Sequence, residues 1–180
     1  YSEESGLLSN DKEFTIVIDP LDGSNNFYSN LPYFGTSIAL QKNNETIAGF
    51  VTNLISGIIT YRAFENDIRF FSLEKMEYKN IIEVPKNKIS IFERAYNYPK
   101  ICEKLTSNHI KFRTLGAVAL SLSNAFNYEF VLYGGNLREF DIAAALYICK
   151  DSYIYKTNEY LFITKNKERY NLLKEIIKEF

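Results

Sequence analysis

Two aspartates, Asp19 and Asp22, lie three apart in the stretch DPLDGSNNF, residues 19–27, directly after the apolar run FTIVI. Two more acids, Glu3 and Glu4 in SEESG, precede that run, and Asp141 follows far downstream in FDIAAALYICKD. Carboxylates gathered at one place repel and raise one another's pKa unless a cation neutralises them. Hard oxygen donors with room for water suit Mg²⁺, which is commonly held by a few carboxylates together with a substrate phosphate. Gly23, Ser24 and Asn25 follow Asp22 and would present backbone N–H groups at a helix start, a place suited to a phosphate. A cation on one side and a helix start on the other describe a phosphomonoester site. Each acid taken singly has a plainer use. Glu3 and Glu4 suit a solvated segment, Asp141 suits a helix N-cap, Glu139 reads as a surface charge, and DPLDG suits an ordinary strand-to-helix turn.

The elements that must position these residues fall into two parts. Residues 1–83 read as an antiparallel sheet carrying the first acidic motif, with hairpin loops at KNNE, LISG and FEND. Its strands are apolar on both faces, so a covering layer is expected on each. Residues 84–180 read as an α/β part: a strand in KISIFERA, a helix in YPKICEKLTS, a strand in IKFRTLG and a mostly apolar helix in AVALSLSNAFNY. A strand in EFVLYGG, the Asp141 helix, strands at YIYK and YLFIT and an amphipathic helix in KERYNLLKEIIKEF complete it. A cleft between the two parts is the expected place for the site.

Composition narrows the class of function. The chain has 180 residues, 46% of them hydrophobic, enough for an ordinary globular core. With 21 basic and 22 acidic residues interspersed, it carries no electrostatic footprint for nucleic acid or a membrane surface, so its partners are expected to be small molecules. Two cysteines, Cys102 and Cys149, make no disulfide framework and read as core residues, and the expected location is the cytoplasm. The lone histidine, His109, has no partner in the pattern that would make it a base.

DPLDGSNNF, with SEES before it and FDIAAA after it, resembles the inositol monophosphatase family of Mg²⁺-dependent phosphatases, including archaeal members that also hydrolyse fructose 1,6-bisphosphate. LPYFGTSIAL and RTLGAVAL extend the likeness over nearly the whole chain. The resemblance implies an α+β, layered α/β/α/β/α sugar-phosphatase fold. It also implies a homodimer and a phosphomonoesterase that attacks phosphorus in line with a cation-activated water. By this resemblance Glu3, Asp19 and the Leu21 carbonyl hold a first Mg²⁺, and Asp19, Asp22 and Asp141 hold a second. Glu3 or Glu4 stands near a third ion, and Mn²⁺ is an alternative metal. Glu3, Asp22 and Ser24 form the catalytic set, with Ser24, where the family usually has Thr, orienting the water. Asp22 and the Gly23 and Ser24 N–H groups meet the phosphate. Arg94, Arg113 and Arg138 match basic residues that approach the substrate, Gly116, Ala117 and Val118 match the segment that touches the sugar ring, and Tyr96 and Tyr98 lie close by in sequence.

Three departures qualify the likeness. Gly134 stands seven before Asp141, where typical inositol monophosphatases have Glu, which weakens an inositol preference. KDSYIYK replaces the usual glycine pair after the second motif, and the family's two N-terminal helices have no counterpart, so the natural protein is expected to be longer. Two alternatives remain open at this level. One is a 3′-phosphoadenosine nucleotide phosphatase, and the other a non-catalytic metal-binding relative acting as a structural or regulatory subunit.

Overall fold

The computed structural model describes residues 1–6, 13–79 and 89–180. Strands β1 (Phe14–Asp22), β2 (Gly35–Lys42), β3 (Glu45–Asn53), β4 (Ile58–Ala63), β5 (Arg69–Ser72) and β6 (Glu77–Lys79) pair antiparallel in chain order. The short helix α1 (Ser24–Tyr28) interrupts this meander directly after β1. The second sheet has the order β10-β11-β9-β7-β8, formed by β7 (Ser90–Glu93), β8 (Phe112–Arg113), β9 (Val131–Gly134), β10 (Tyr153–Lys156) and β11 (Tyr160–Thr164). Helices α2 (Pro99–Ser107), α3 (Val118–Ser123), α4 (Glu139–Ile148) and α5 (Lys167–Lys178) are distributed between and beyond the sheets.

Two hydrophobic clusters define the layers. One joins Val17, Ala39 and Val51 of the first sheet to α3 and α4 and onward to Ile91, Val131 and Ile163 of the second. The other joins Phe92, Leu132 and Phe162, from the opposite face of the second sheet, to α2 and α5. The order is therefore sheet, helices, sheet, helices, four layers in the sequence expected of the layered fold. The expected division between residues 83 and 84 lies outside the described residues.

Alternation along the first sheet explains its unusual pattern. Val17, Asp19, Ser37, Ala39, Gly49, Val51, Thr60 and Arg62 occupy partnered positions on one face, toward the helices. Those residues are mostly small because α4 lies close. A Cβ on Gly49 would meet the Ala144 carbonyl oxygen at 2.5 Å and its Cα at 2.9 Å. The larger Ile18, Ile38, Leu40, Phe50 and Tyr61 fall on the other face, where they are half-buried, and Ile16 there is 55% exposed. Beyond its acidic first turn, helix α4 is apolar because it packs on the first sheet and against α3 in the layer between the sheets, and its C-terminus is tied down by a buried cation. Arg62 donates to the Ile148 carbonyl at 3.3 Å and to the Asn66 carbonyl at 2.8 Å, and pairs with Asp151.

Two elements are shorter than their patterns predict. Pairing in IKFRTLG stops after Arg113 because side chains take over: Thr114 Oγ1 donates to the Phe92 carbonyl at 2.8 Å. The helix in AVALSLSNAFNY ends at Ser123 and resumes as a 3₁₀ turn, Ala125–Asn127. There the Ser123 hydroxyl and the Asn124 amide both donate to the Leu120 carbonyl, competing with the helical ladder.

Overpacking the Gly49 contact tests this layering. Gly49→Ala should lower the unfolding free energy by about 1–3 kcal/mol, read as a lower urea midpoint with an unchanged denaturant slope.

Candidate functional site

In a regular strand, residues three apart face opposite ways, so Asp19 and Asp22 should not share a side. They do, because the β1–β2 register shifts between them, around Pro20, which has no N–H to give the ladder. Both aspartates are buried, and the turn continues through Gly23 at φ 84°. Gly is required at this position. A Cβ there would meet the Ala117 Cβ at 2.9 Å and the Tyr33 carbonyl at 3.1 Å.

Glu3 arrives by a different route. Residues 1–3 run parallel beside β1, with Ile18 N–H donating to the Tyr1 carbonyl at 2.9 Å and Glu3 N–H to the Ile18 carbonyl at 3.1 Å. Asp141 comes from the first turn of α4. It does not serve as that helix's cap, since Arg138 holds the cap position and no side chain caps the end. One carboxylate oxygen from each of Glu3, Asp19 and Asp141 lies within 4.8 Å of the other two. Arg138 leans over this cluster, its guanidinium donating to both Asp141 oxygens at 2.8 and 3.0 Å and pairing with Glu3.

Asp22 is held differently. Its two oxygens accept the N–H groups of Val118 at 2.8 Å and Leu120 at 3.0 Å, so it caps α3 from across the cleft. Each oxygen keeps a further lone pair. Asp19 Oδ1 accepts the Leu21 N–H at 3.0 Å. Burial, then the Glu3 charge, pushes the Asp19 carboxyl up to about 7. Burial pushes Asp22 up to about 8, opposed by its bond from Leu120 and reinforced by the nearby Asp19 and Asp141 charges. Asp141 is raised by burial and drawn back by Arg138. Buried carboxylates that resist ionisation unless cations gather there, all offering hard oxygen donors, fit a divalent cation such as Mg²⁺.

A cavity of about 460 Å³ opens over the cluster. Glu3, Asp19, Leu21, Asp22, Gly23, Ser24, Arg94, Gly116, Val118, Arg138 and Asp141 all line it, together with Tyr96. Others among the expected residues stand apart. Glu4 is exposed and lies outside both the cluster and the cavity lining, and Arg113 is exposed, with its guanidinium on the Phe112 carbonyl. Ala117 is buried behind the lining, and Tyr98 lies against Gly134. Lining residues that the sequence reading did not single out include Asn26 and Glu93. Asn26 sat inside the quoted motif, whereas Glu93, in KISIFERA, carried no signal because its partners are remote in sequence.

The layering and the acidic cluster together define a layered α+β sugar-phosphatase fold. Solved structures share it. The extragenic suppressor protein suhB from Bartonella henselae superposes with a TM-score of 0.80 at 20% identity, covering 99% of this chain and 75% of that one. A Thermotoga maritima IMPase does so with a TM-score of 0.75 at 22% identity, over 99% of this chain and 74% of that one. Residues 1–152 match the profile of the inositol monophosphatase family, and the chain belongs to that family. It is 30% identical over 167 residues to a fructose-1,6-bisphosphatase/inositol-1-monophosphatase of Methanocaldococcus jannaschii. That match covers 88% of this chain and 62% of the relative. The chain thus spans about three-fifths of that relative's length.

The raised carboxyls set a pH dependence. A carboxyl whose folded pKa exceeds its unfolded value near about 4 binds its proton more tightly when folded, so its stabilisation is full below that value. It is lost as pH rises through about 7 for Asp19 and about 8 for Asp22. In chelator the melting temperature should therefore fall between about pH 5 and about pH 8, and added Mg²⁺ should raise it more at the higher pH. Differential scanning calorimetry at the two pH values checks both, and a melting temperature that rises with pH in chelator would contradict the assignment.

Proposed function

We propose that this chain carries the site of a divalent-cation-dependent phosphomonoesterase for small phosphorylated sugars or polyols, with fructose 1,6-bisphosphate favoured over inositol monophosphate. The observation that carries the reading is the convergence of Glu3, Asp19 and Asp141 within 4.8 Å, in one cavity with the turn Gly23–Asn25. Mg²⁺, or Mn²⁺, would be held by these three carboxylates with Asp22 and the Leu21 carbonyl beside them. When bound, the cations supply Lewis-acid activation of water and neutralise the leaving oxygen.

The remaining tasks belong to the chain. The N–H groups of Gly23 and Ser24 receive the phosphate oxygens, an electrostatic stabilisation that grows as charge develops in the transition state. The exposed Ser24 hydroxyl orients the attacking water. Gly116 and Val118 form the wall for the sugar ring, and Arg138 orients Glu3 and Asp141 while presenting positive charge to the same cavity.

Two features support a bisphosphate. Arg94 lines the cavity and stacks on the Tyr133 ring with 5.2 Å from guanidinium to centroid. Among the described residues it makes no ion pair, which suits it to a second phosphate. At Gly134 a Cβ would lie 2.4 Å from the Tyr98 ring, so the acidic side chain of typical inositol monophosphatases has no room there.

Phosphate release from fructose 1,6-bisphosphate, inositol 1-phosphate and adenosine 3′,5′-bisphosphate, with and without Mg²⁺, tests the reading. The first should turn over fastest, and Asp141→Asn should lower kcat/KM by more than about a hundredfold. No cation-dependent release from any of the three would overturn it. Arg94→Ala should raise KM for the fructose bisphosphate by about tenfold while leaving that for the monophosphate nearly unchanged, as expected for one lost charge-assisted contact.

A further inference from the structure

Glu93, the last residue of β7, is 1% exposed and has no part in the chemistry proposed above. Both of its carboxylate oxygens are engaged. Oε2 accepts the Gly116 N–H at 2.8 Å, and Oε1 accepts the Ser121 hydroxyl at 2.5 Å. The Tyr33 hydroxyl lies 3.1 Å from Ser121 Oγ and continues the network to Tyr128. One buried carboxylate thus ties a strand of the second sheet to the cavity wall and to α3 at once.

The wall segment is gripped from its other side by Asn26. The Asn26 amide donates to the Leu115 and Tyr33 carbonyls, each at 2.7 Å, and a Cβ on Gly116, which sits at φ 86°, would lie 2.9 Å from that amide. Leu115 and Gly116 therefore have little freedom between Asn26 and Glu93. Without Glu93, the Gly116 N–H would lose its acceptor at the cavity edge, and the fully buried Ser121 hydroxyl would lose its carboxylate partner.

We infer that Glu93 is a positioning residue for substrate recognition: through Gly116 it sets where the sugar-facing wall stands relative to the acidic cluster. The inference rests on the phosphatase reading for its substrate, though not for its geometry. Burial raises the Glu93 carboxyl above the ordinary glutamate range, against its hydrogen bonds from Ser121 and Gly116, which favour the charged form.

Glu93→Gln and Glu93→Leu separate the possibilities. The glutamine amide can accept from Gly116 and donate to Ser121, so KM for fructose 1,6-bisphosphate should stay within about threefold of wild type. Leucine can do neither. With it, KM should rise by about tenfold or more with kcat within about threefold, and the Gly116 amide should exchange with solvent at least about tenfold faster by NMR. A leucine variant with wild-type KM and Gly116 exchange would overturn the inference, as would a glutamine variant as impaired as the leucine one. If the leucine variant does not fold, Ser121→Ala decides. It removes the Ser121 bonds to Glu93 and Tyr33 but not the Glu93–Gly116 bond, and should leave Gly116 protected and KM within about threefold. A tenfold rise in KM with Gly116 still protected would refute a role acting through the wall. If wild type releases no phosphate from any ester, the functional reading fails, while Gly116 exchange in the same variants still decides whether Glu93 holds the wall.

Discussion

Three carboxylates with oxygens inside 4.8 Å repel one another, each ionised pair by about 3.5 kcal/mol or more at an effective dielectric constant of about 20, and the neighbouring groups offset that repulsion. Arg138 takes up part of the charge, bonding Asp141 through two nitrogens and reaching Glu3. Asp19 responds through its protonation, its carboxyl pushed up to about 7. Asp22, which would add a fourth charge, is fastened by two N–H groups at the start of α3. A site so built gains most from a bound cation, which removes the strain and the protons together.

Withstanding repulsion also demands a rigid frame. Asp141 can stand opposite Asp19 only because α4 lies nearly on the backbone of β3, at a distance that Gly49 permits and the run of alanines 143–145 exploits. Arg62 fastens the far end of the same helix. The apolar, small-residue character of α4, which in isolation looks like weak design for a surface helix, follows from its place between two sheets.

The far side of the cavity is governed by exchange of space between side chains. Tyr98 occupies the volume that a side chain at residue 134 would need, with its ring set against Phe92 and Tyr160. With no side chain at residue 134, Glu93, Arg94, Tyr96 and Asn97 make up that part of the lining.

Much of this was legible before any coordinates. Asp19, Asp22, Asp141, the turn glycine and the order of strands and helices are written in short-range pattern: period-two alternation, turn residues after an apolar run, a helix opened by an acid. Other features were not legible. That Asp19 and Asp22 share a side depends on a register shift against β2, that Glu3 reaches the cluster and Glu4 does not depends on a parallel bridge to β1, and that Arg113 points away depends on where β8 ends. Glu93 has partners 23 and 28 residues away, so nothing near it in the chain marked it. By itself the sequence determined which residues could do chemistry and which local elements carry them, because backbone sterics and hydrophobic periodicity act between near neighbours. The tertiary structure alone decided which of those groups meet, because a carboxylate's partners, its protonation and its aim are set by residues far away along the chain.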